Sequence, residues 1–216
     1  MIKKIIYTSI ACALINFSYA SDQHVIGGLT VGLQAGALTP AASNESGGTN
    51  GFGGATLGFD YPIDTHNHVS LGLETGFSYA NKTASDIDST KVGKTFILPI
   101  FATLKTVLPL GLSFVVKAGS AYTQQDTTNL IDNSTSNLSK FRPMFAGGIG
   151  WQFEQLNVTS LYSRYIGENN VTSDTPLSMN LFSIQLTYTF EVQKTQWWID
   201  NEPDNIDAKK SQQMGF

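Results

Sequence analysis

The feature that most constrains this chain is the stretch from Met179 to Phe190, where apolar and polar residues alternate strictly. One face carries Phe182, Ile184, Leu186, Tyr188 and Phe190, and the other carries Ser183, Gln185, Thr187 and Thr189. Alternation over about ten residues is typical of a strand with lipid on one side and a polar lumen on the other. A strand of a soluble sandwich can also alternate, so the rest of the chain has to decide between the two.

The apolar face of this stretch also resembles a known signal. Its spacing back from Phe190 is similar to that of the closing strand of bacterial outer-membrane barrels, which the barrel-assembly machinery is thought to read. The resemblance implies that machinery as a partner during biogenesis.

The N-terminal 20 residues are predicted to be a secretory signal peptide. Lys3 and Lys4 precede an apolar stretch from Ile5 to Phe17, and small residues end at Ala20, where cleavage is expected. The alternative is a membrane anchor, but a spanning helix needs about 20 apolar residues. The single cysteine, Cys12, lies within this segment, and Ser9 stands where a lipoprotein signal would need a branched apolar residue.

Charge and hydropathy narrow the remaining choices. The chain has 13 basic and 17 acidic residues, and removal of Lys3 and Lys4 would leave a net charge of −6. This acidity disfavours a nucleic-acid partner. No later stretch is long and apolar enough for a spanning helix. If the chain enters a membrane, it must therefore do so as a closed barrel, because lipid leaves no partner for an unpaired backbone group.

Eight alternating stretches follow one another between Leu29 and Phe190. They run over residues 29–38, 53–63, 69–80, 95–107, 112–122, 141–153, 158–166 and 179–190. Polar connections that are long, short, long, short in turn separate them, and the long ones cover residues 40–51, 81–94, 123–139 and 167–178. This order predicts a closed, antiparallel, up-and-down, all-β barrel of eight strands. Pro99 and Pro143 fall inside stretches, where a bulge is one way to accommodate them.

The whole stretch from Leu29 to Phe190 resembles the eight-stranded outer-membrane β-barrel superfamily, which includes the OmpA transmembrane domain, OmpX and Ail-like surface proteins. With the predicted signal peptide over residues 1–20, the resemblance implies a barrel over 21–190. The chain departs from the superfamily in its tail over 191–216, expected in the periplasm, because many small members stop at the closing phenylalanine. The tail is too short for a peptidoglycan-binding domain. Trp197 and Trp198, with the acidic residues after them, could anchor it at the membrane interface or cap the barrel, or the tail could simply be mobile.

Charges on the polar faces are the first candidate site. These are Asp60, Glu74, Lys105, Lys117, Arg142 and Arg164. Since side chains fill the interior of an eight-stranded barrel, we expect opposed charges there to form a paired, hydrated plug. The alternative is a gated path for small solutes.

The three histidines are the second candidate. Lipid-modifying barrels of the PagL and PagP type use a histidine with a serine or acidic partner, and a general base must reach its nucleophile directly or through one water. His66 and His68 fall in a predicted short turn and His24 near the mature N-terminus, far from the outer-leaflet half. The sequence therefore predicts no enzyme and no cofactor. A metal site at His66 and His68 lacks further ligands.

Aromatic residues form the third set, and they fall near the two ends of the predicted strands. The predicted girdle comprises Tyr61, Tyr79, Tyr122, Phe145, Trp151, Phe153 and Tyr165. Amphipathic rings at the two lipid–water boundaries would anchor the barrel.

The long loops combine small and polar residues, and they support two interpretations. They are either the binding surface of an adhesin or host-factor-binding protein, or a hydrophilic collar that interacts with lipopolysaccharide. The leading hypothesis is a non-enzymatic, porin-like outer-membrane protein of a Gram-negative cell, which serves envelope integrity or surface contact. A narrow solute channel, a lipid-A-modifying enzyme and a secreted lipocalin-like barrel are the alternatives.

Overall fold

The computed structural model describes residues 26–40, 49–63, 68–81, 90–129, 134–167 and 176–191. The strands are β1 (Gly28–Pro40), β2 (Asn50–Pro62), β3 (Val69–Ala80), β4 (Thr90–Val107), β5 (Leu112–Asn129), β6 (Thr135–Phe153), β7 (Leu156–Tyr165) and β8 (Met179–Glu191). A short 3₁₀ turn, Pro109–Gly111, joins β4 to β5. The predicted signal peptide and the predicted tail after Glu191 lie outside the described residues. Within the described ranges, no helix combines the length and apolar character that crossing a membrane requires.

The eight strands close into a barrel in chain order, and every neighbouring pair is antiparallel. The predicted fold class is confirmed. The last strand, β8, pairs with the first along its whole length, from Gly28 opposite Glu191 to Pro40 opposite Met179. This β1–β8 seam leaves no strand at an open edge of the barrel wall.

Side chains sort into two faces because successive residues of a strand point to opposite sides. The outward face is apolar and exposed, with members such as Leu33, Leu73 and Ile184. The inward face is largely polar in one half of the barrel, with buried Thr56, Lys117 and Gln185. A soluble lipocalin-like barrel requires an apolar interior and a polar exterior. The apolar outer face of this barrel is the opposite of that arrangement.

The structure corrects the boundaries of the second and third long loops. β4 begins at Thr90, β5 continues to Asn129 and β6 begins at Thr135, so much of the segment predicted as loop is strand. These three strands continue beyond Ala80 of β3 and Tyr165 of β7. We call the part formed by residues 90–94, 126–129 and 135–140 the extension. The alternation signal failed there because both faces of the extension are polar.

Neither internal proline produces the bulge that was considered for it. The β3–β4 register is the same on both sides of Pro99, and the hydroxyl of Thr75 donates a hydrogen bond of 2.9 Å to the carbonyl of Pro99. Pro143 lies where β6 passes the end of β7, and its carbonyl accepts a 3.0 Å hydrogen bond from the amide of Ile166. The register shift lies instead between Val92 and Thr95, at the base of the extension.

Inward-facing glycines allow neighbouring strands of this narrow barrel to approach each other closely. A Cβ added to Gly36, on the β1–β8 seam, would lie 2.6 Å from the Cα of Ser183 and even closer to the carbonyl oxygen of Phe182. Real Cβ atoms do not make such contacts with backbone. By contrast, a Cβ on the outward-facing Gly53 would meet its nearest atom, the carbonyl oxygen of Gln34, at 3.9 Å.

We therefore expect Gly36→Ala to weaken the seam. Overpacking of this kind costs about 1–3 kcal/mol, and urea unfolding of the protein in detergent micelles measures it. Gly53→Ala is the matched control and should unfold at the urea concentration of the parent or slightly above, because alanine narrows the unfolded ensemble. Equal stability of the two variants would show that β1 and β8 do not approach as closely as the structure has them.

Candidate functional site: the barrel interior and its rim

The barrel interior has two halves of different chemistry. The half near the short turns is polar, and Asp60, Lys105, Asn157 and Gln185 line a cavity of about 40 Å³ there. The half near the long loops contains a cluster of buried apolar side chains. A cavity of this size holds two or three waters at about 10–15 Å³ each. On its long-loop side, the polar half borders the apolar cluster.

A buried ion pair lies at the centre of the polar half. Lys117 Nζ of β5 donates hydrogen bonds to Glu74 Oε1 at 2.6 Å and to Oε2 at 2.8 Å, and the two side chains are 3% and 14% exposed. Lys117 also donates to Gln185 Oε1 at 2.9 Å. Gln185 Nε2 in turn donates to Thr56 Oγ1 at 3.0 Å and Glu74 Oε2 at 3.2 Å. All three protons of the ammonium group therefore have acceptors, contributed by strands on opposite sides of the barrel.

The register explains how these residues come together. Inward positions of β2, β3, β5 and β8 supply Thr56, Glu74, Lys117 and Gln185 respectively. Sequence reasoning placed Glu74 and Lys117 in the lumen but did not identify Gln185 or Thr56 as their partners. The signal was available for Gln185, which stands in the middle of the polar face of the most regular strand.

Two of the other predicted lumen charges, Asp60 and Lys105, line the same cavity as Glu74 and Lys117. Four of the six predicted charges therefore come together in the polar half. Arg142 faces inward but is half-buried and lies opposite Ala121, toward the long loops. The predicted set is thus divided along the barrel.

Two predicted placements on β7 are wrong, and they have one cause. The inward residues of β7 are Asn157, Thr159, Leu161, Ser163 and Tyr165. Arg164 therefore lies on the outer face and is exposed, not in the lumen. Tyr165 points inward and is fully buried, so it is not part of an outer girdle. Their chemistry favours Arg164 in the lumen and the ring of Tyr165 against lipid. The alternation of side chains along β7 instead places Arg164 outside and Tyr165 inside.

Apolar side chains close the interior at the long-loop end. The cluster comprises Leu38, Phe52, Ala80, Ile97, Phe101, Ala121, Met144, Tyr165, Met179 and Leu181. Sequence reasoning missed it because it expected polar inward residues throughout.

Residues 176–178 lie across the top of this cluster. The amide of Leu177, which is 1% exposed, donates to Gln125 Oε1 at 2.9 Å. Gln125 Nε2 contacts Met179 Sδ at 3.1 Å, and Ser178 Oγ accepts from the amide of Gly167 at 3.1 Å. The long-loop end of the described interior thus combines this apolar cluster with buried polar side chains such as Thr95, Thr123 and Gln125.

The five residues of the predicted closing signal lie on the outer face of the β1–β8 seam. Phe182, Ile184, Leu186, Tyr188 and Phe190 stand opposite Ala37, Ala35, Leu33, Val31 and Leu29. All five side chains are exposed. Their role in assembly stays a prediction.

Six of the seven predicted girdle residues lie on the outer face, in two groups at its ends. Tyr61, Trp151 and Phe153 lie near the short turns, and Tyr79, Tyr122 and Phe145 lie near the long loops. The ring of Tyr122 packs against Phe141 with centroids 5.2 Å apart. Membrane anchoring by these rings stays a prediction.

The histidines supply little for catalysis or metal binding among the described residues. His68 uses its carbonyl to accept a 2.8 Å hydrogen bond from the amide of Val107, which ties the β2–β3 turn to β4. His24 and His66 lie outside the described residues. Within the described ranges, no three side chains of His, Cys, Asp or Glu come together as a possible metal site.

Comparison with known proteins is informative at the level of structure only. No protein-family model matches the chain, and no curated protein matches it in sequence. The structure is similar to that of Ail, the attachment invasion locus protein of Yersinia pestis, with a TM-score of 0.52 and 10% identity over 77% of this chain and 100% of that one. It is also similar to Neisserial surface protein A, with a TM-score of 0.53 and 14% identity over 77% of this chain and 100% of that one. The chain thus has the fold of the eight-stranded outer-membrane β-barrels.

We expect removal of one partner of the Lys117–Glu74 pair to be strongly destabilising. Removing one partner leaves an uncompensated buried charge, which costs about 3–5 kcal/mol. Lys117→Met should therefore lower the free energy of unfolding by about this amount in a urea titration in micelles.

The double variant Lys117→Met with Glu74→Gln removes both charges and should recover most of that loss. Lys94→Met, at an exposed lysine on the outer side of β4, is the control and should leave stability unchanged. A single variant as stable as the parent would mean that Glu74 is hydrated without Lys117.

Proposed function

We propose that this chain is a non-enzymatic outer-membrane protein that holds a polar β-extension at the cell surface for contact with other surfaces. The observation that carries this proposal is the extension of β4, β5 and β6 beyond the barrel rim. Five residues of strand correspond to about 15 Å at about 3.3 Å per residue. This is enough to carry the extension clear of the apolar outer face.

The dimensions of the outer face support insertion in a membrane. On β8 the apolar outward residues run from Phe190 to Phe182, which is about 26 Å along the strand. A strand tilt of about 40° reduces this to about 20 Å across the membrane, close to the apolar band of about 25 Å in outer-membrane barrels. In such barrels the long connections are extracellular, so the extension would lie outside the cell.

The chemistry of the extension supports contact with polar surfaces. Asp126 Oδ1 accepts a 3.0 Å hydrogen bond from Asn137 Nδ2 across the β5–β6 hairpin, and Thr127 Oγ1 donates to the carbonyl of Ser136 at 3.2 Å. These bonds order strands whose two faces both carry polar residues. A rigid polar surface loses less conformational entropy on binding than a mobile loop does.

A similar barrel suggests a first probe. The Ail protein of Yersinia pestis has also been solved in complex with sucrose octasulfate, a heparin analogue. For the present chain, this supports including a heparin-coated surface beside cultured cells in an attachment assay.

Shortening the extension tests the proposal. Because Asp126 pairs with Asn137, residues 127–136 can be replaced by Asn-Gly, which forms a two-residue hairpin turn. We expect this variant to reach the outer membrane with the heat-dependent gel mobility of the parent. Cells of a non-adherent Gram-negative host that express it should attach to epithelial monolayers or heparin-coated plates at least several-fold less than cells with the parent.

The double variant Asp126→Ala with Asn137→Ala is the matched control, because it removes one hydrogen bond and keeps the extension. It should retain most of the attachment. Attachment that is unchanged by the shortening would contradict the proposed surface role.

Closure of the interior also predicts the result of a conductance measurement. Since an apolar cluster and Leu177 fill the long-loop half, the parent protein in a planar bilayer should give no steady ion current above background. A reproducible open level of nanosiemens size would favour the solute-channel alternative.

A further inference from the structure

Arg164 has a position that neither a lumen plug nor a surface extension explains. It is an exposed cation on an outer face of β7 and β8 that is mainly apolar, where Val158, Tyr162, Phe182 and Ile184 lie with Ser160 among them. An arginine facing hydrocarbon is strongly unfavourable at the membrane midplane and costs almost nothing at the interface. The energetic cost of exposing Arg164 therefore depends on its depth in the membrane.

The strand register fixes that position at the long-loop boundary of the apolar face. Arg164 is paired with Asn180, and Asn180 is paired with Thr39 on β1. One step nearer the short turns, the outward row on these strands is Tyr162, Phe182 and Ala37. On β7, β8 and β1 the outer face thus changes from apolar to polar within one row, and Arg164 provides the only cation among the three residues of the polar row. On β6 the residue paired with Arg164 is the exposed Phe145.

The neighbours of Arg164 are arranged as hydrogen-bond donors. The hydroxyl of Tyr162 donates a 2.9 Å hydrogen bond to Asn180 Oδ1. This bond occupies the carbonyl of the amide and directs the Nδ2 group away from Tyr162. Within the described residues, neither the guanidinium of Arg164 nor this Nδ2 group has an acceptor. Two adjacent strands therefore present a guanidinium and an amide N–H₂ side by side.

We propose that Arg164 and Asn180 form a binding site for a phosphate group of an outer-leaflet glycolipid, the lipid A part of lipopolysaccharide. A guanidinium binds phosphate through two parallel hydrogen bonds, and the amide adds a third donor. The acyl chains of the same lipid cover the apolar rows below, where Tyr162 and Phe182 lie. The inference rests on the proposed outer-membrane location and gives the lipid contact a defined site.

Binding of purified lipid A to the full-length protein in detergent micelles tests the site, with native mass spectrometry as the readout. Each protein sample is first checked for heat-dependent gel mobility, so that only folded barrel is compared. The probes are lipid A with its phosphates, the same lipid A after removal of the phosphates, and phosphatidylglycerol. We expect the parent to bind phosphorylated lipid A about tenfold more tightly than the dephosphorylated form.

Arg164→Gln should weaken binding of phosphorylated lipid A about tenfold and leave binding of the dephosphorylated form unchanged. Asn180→Asp, which places a carboxylate beside the phosphate, should weaken it at least as much. Lys94→Gln is the matched control, because Lys94 is an exposed cation on the outer side of β4 and its loss changes the net charge equally. It should change binding by less than twofold.

Three results would overturn the inference. Equal losses in the Arg164 and Lys94 variants would mean general charge attraction, and equal binding of both lipid A forms would mean that only acyl chains bind. Phosphatidylglycerol that binds as tightly as lipid A would assign the site to any anionic lipid. If instead the protein fractionated as a soluble protein with no heat-dependent mobility, the proposed outer-membrane location would fail, and that result is distinguishable from all three.

Discussion

Pairing of β8 with β1 is the interaction on which the rest of the structure depends. Unpaired backbone groups cannot be left in lipid, and an open sheet has two edges that carry them. The seam pairs residues from Gly28 to Pro40 with residues from Glu191 back to Met179. Once the seam has formed, each strand residue faces either outward or into the interior. The residues on each side then determine the chemistry of the outer face and of the interior.

Closure of only eight strands leaves a narrow interior, and the inward residues reflect this. Glycines such as Gly36 are needed where neighbouring strands approach closely. The two halves of the remaining space are filled differently. A hydrogen-bonded ion pair between Lys117 and Glu74 lies in one half and an apolar cluster in the other. The ion pair is satisfied by Gln185 and Thr56, so the buried charges are both paired and hydrogen-bonded. Burying charge this way is tolerated only when every donor has a partner. The described interior is consequently largely filled with side chains.

The strands that cross the apolar region could be predicted from the sequence, while those beyond it could not. In β8 the contrast between lipid and lumen produces strict alternation, so both its bounds and its faces followed from the residues. The ends of β5 and β6 are polar on both faces, and a strand of that kind is indistinguishable from a polar loop by periodicity. On β7, the outward Ser160 and the inward Leu161 both interrupt the alternation, so the sequence predicts the faces of Arg164 and Tyr165 the wrong way round. The pairing of Lys117 with Glu74 was beyond sequence reasoning for a different reason, because it depends on the relative register of strands that are not neighbours.

The central claim is the register of the β1–β8 seam, and a designed disulfide tests it most directly. In a Cys12→Ser background, Leu33→Cys and Leu186→Cys place two thiols on residues that are paired across the seam. Paired residues in antiparallel strands have Cα atoms about 4.5–5.5 Å apart, within the range of a disulfide. Phe190→Cys with Leu33→Cys is the control, because Phe190 pairs instead with Leu29. We predict that mild oxidation of the outer-membrane fraction gives an intramolecular disulfide in most molecules of the first variant and in few of the second. No disulfide in the first variant, or equal yields in both, would contradict the closed barrel in this register.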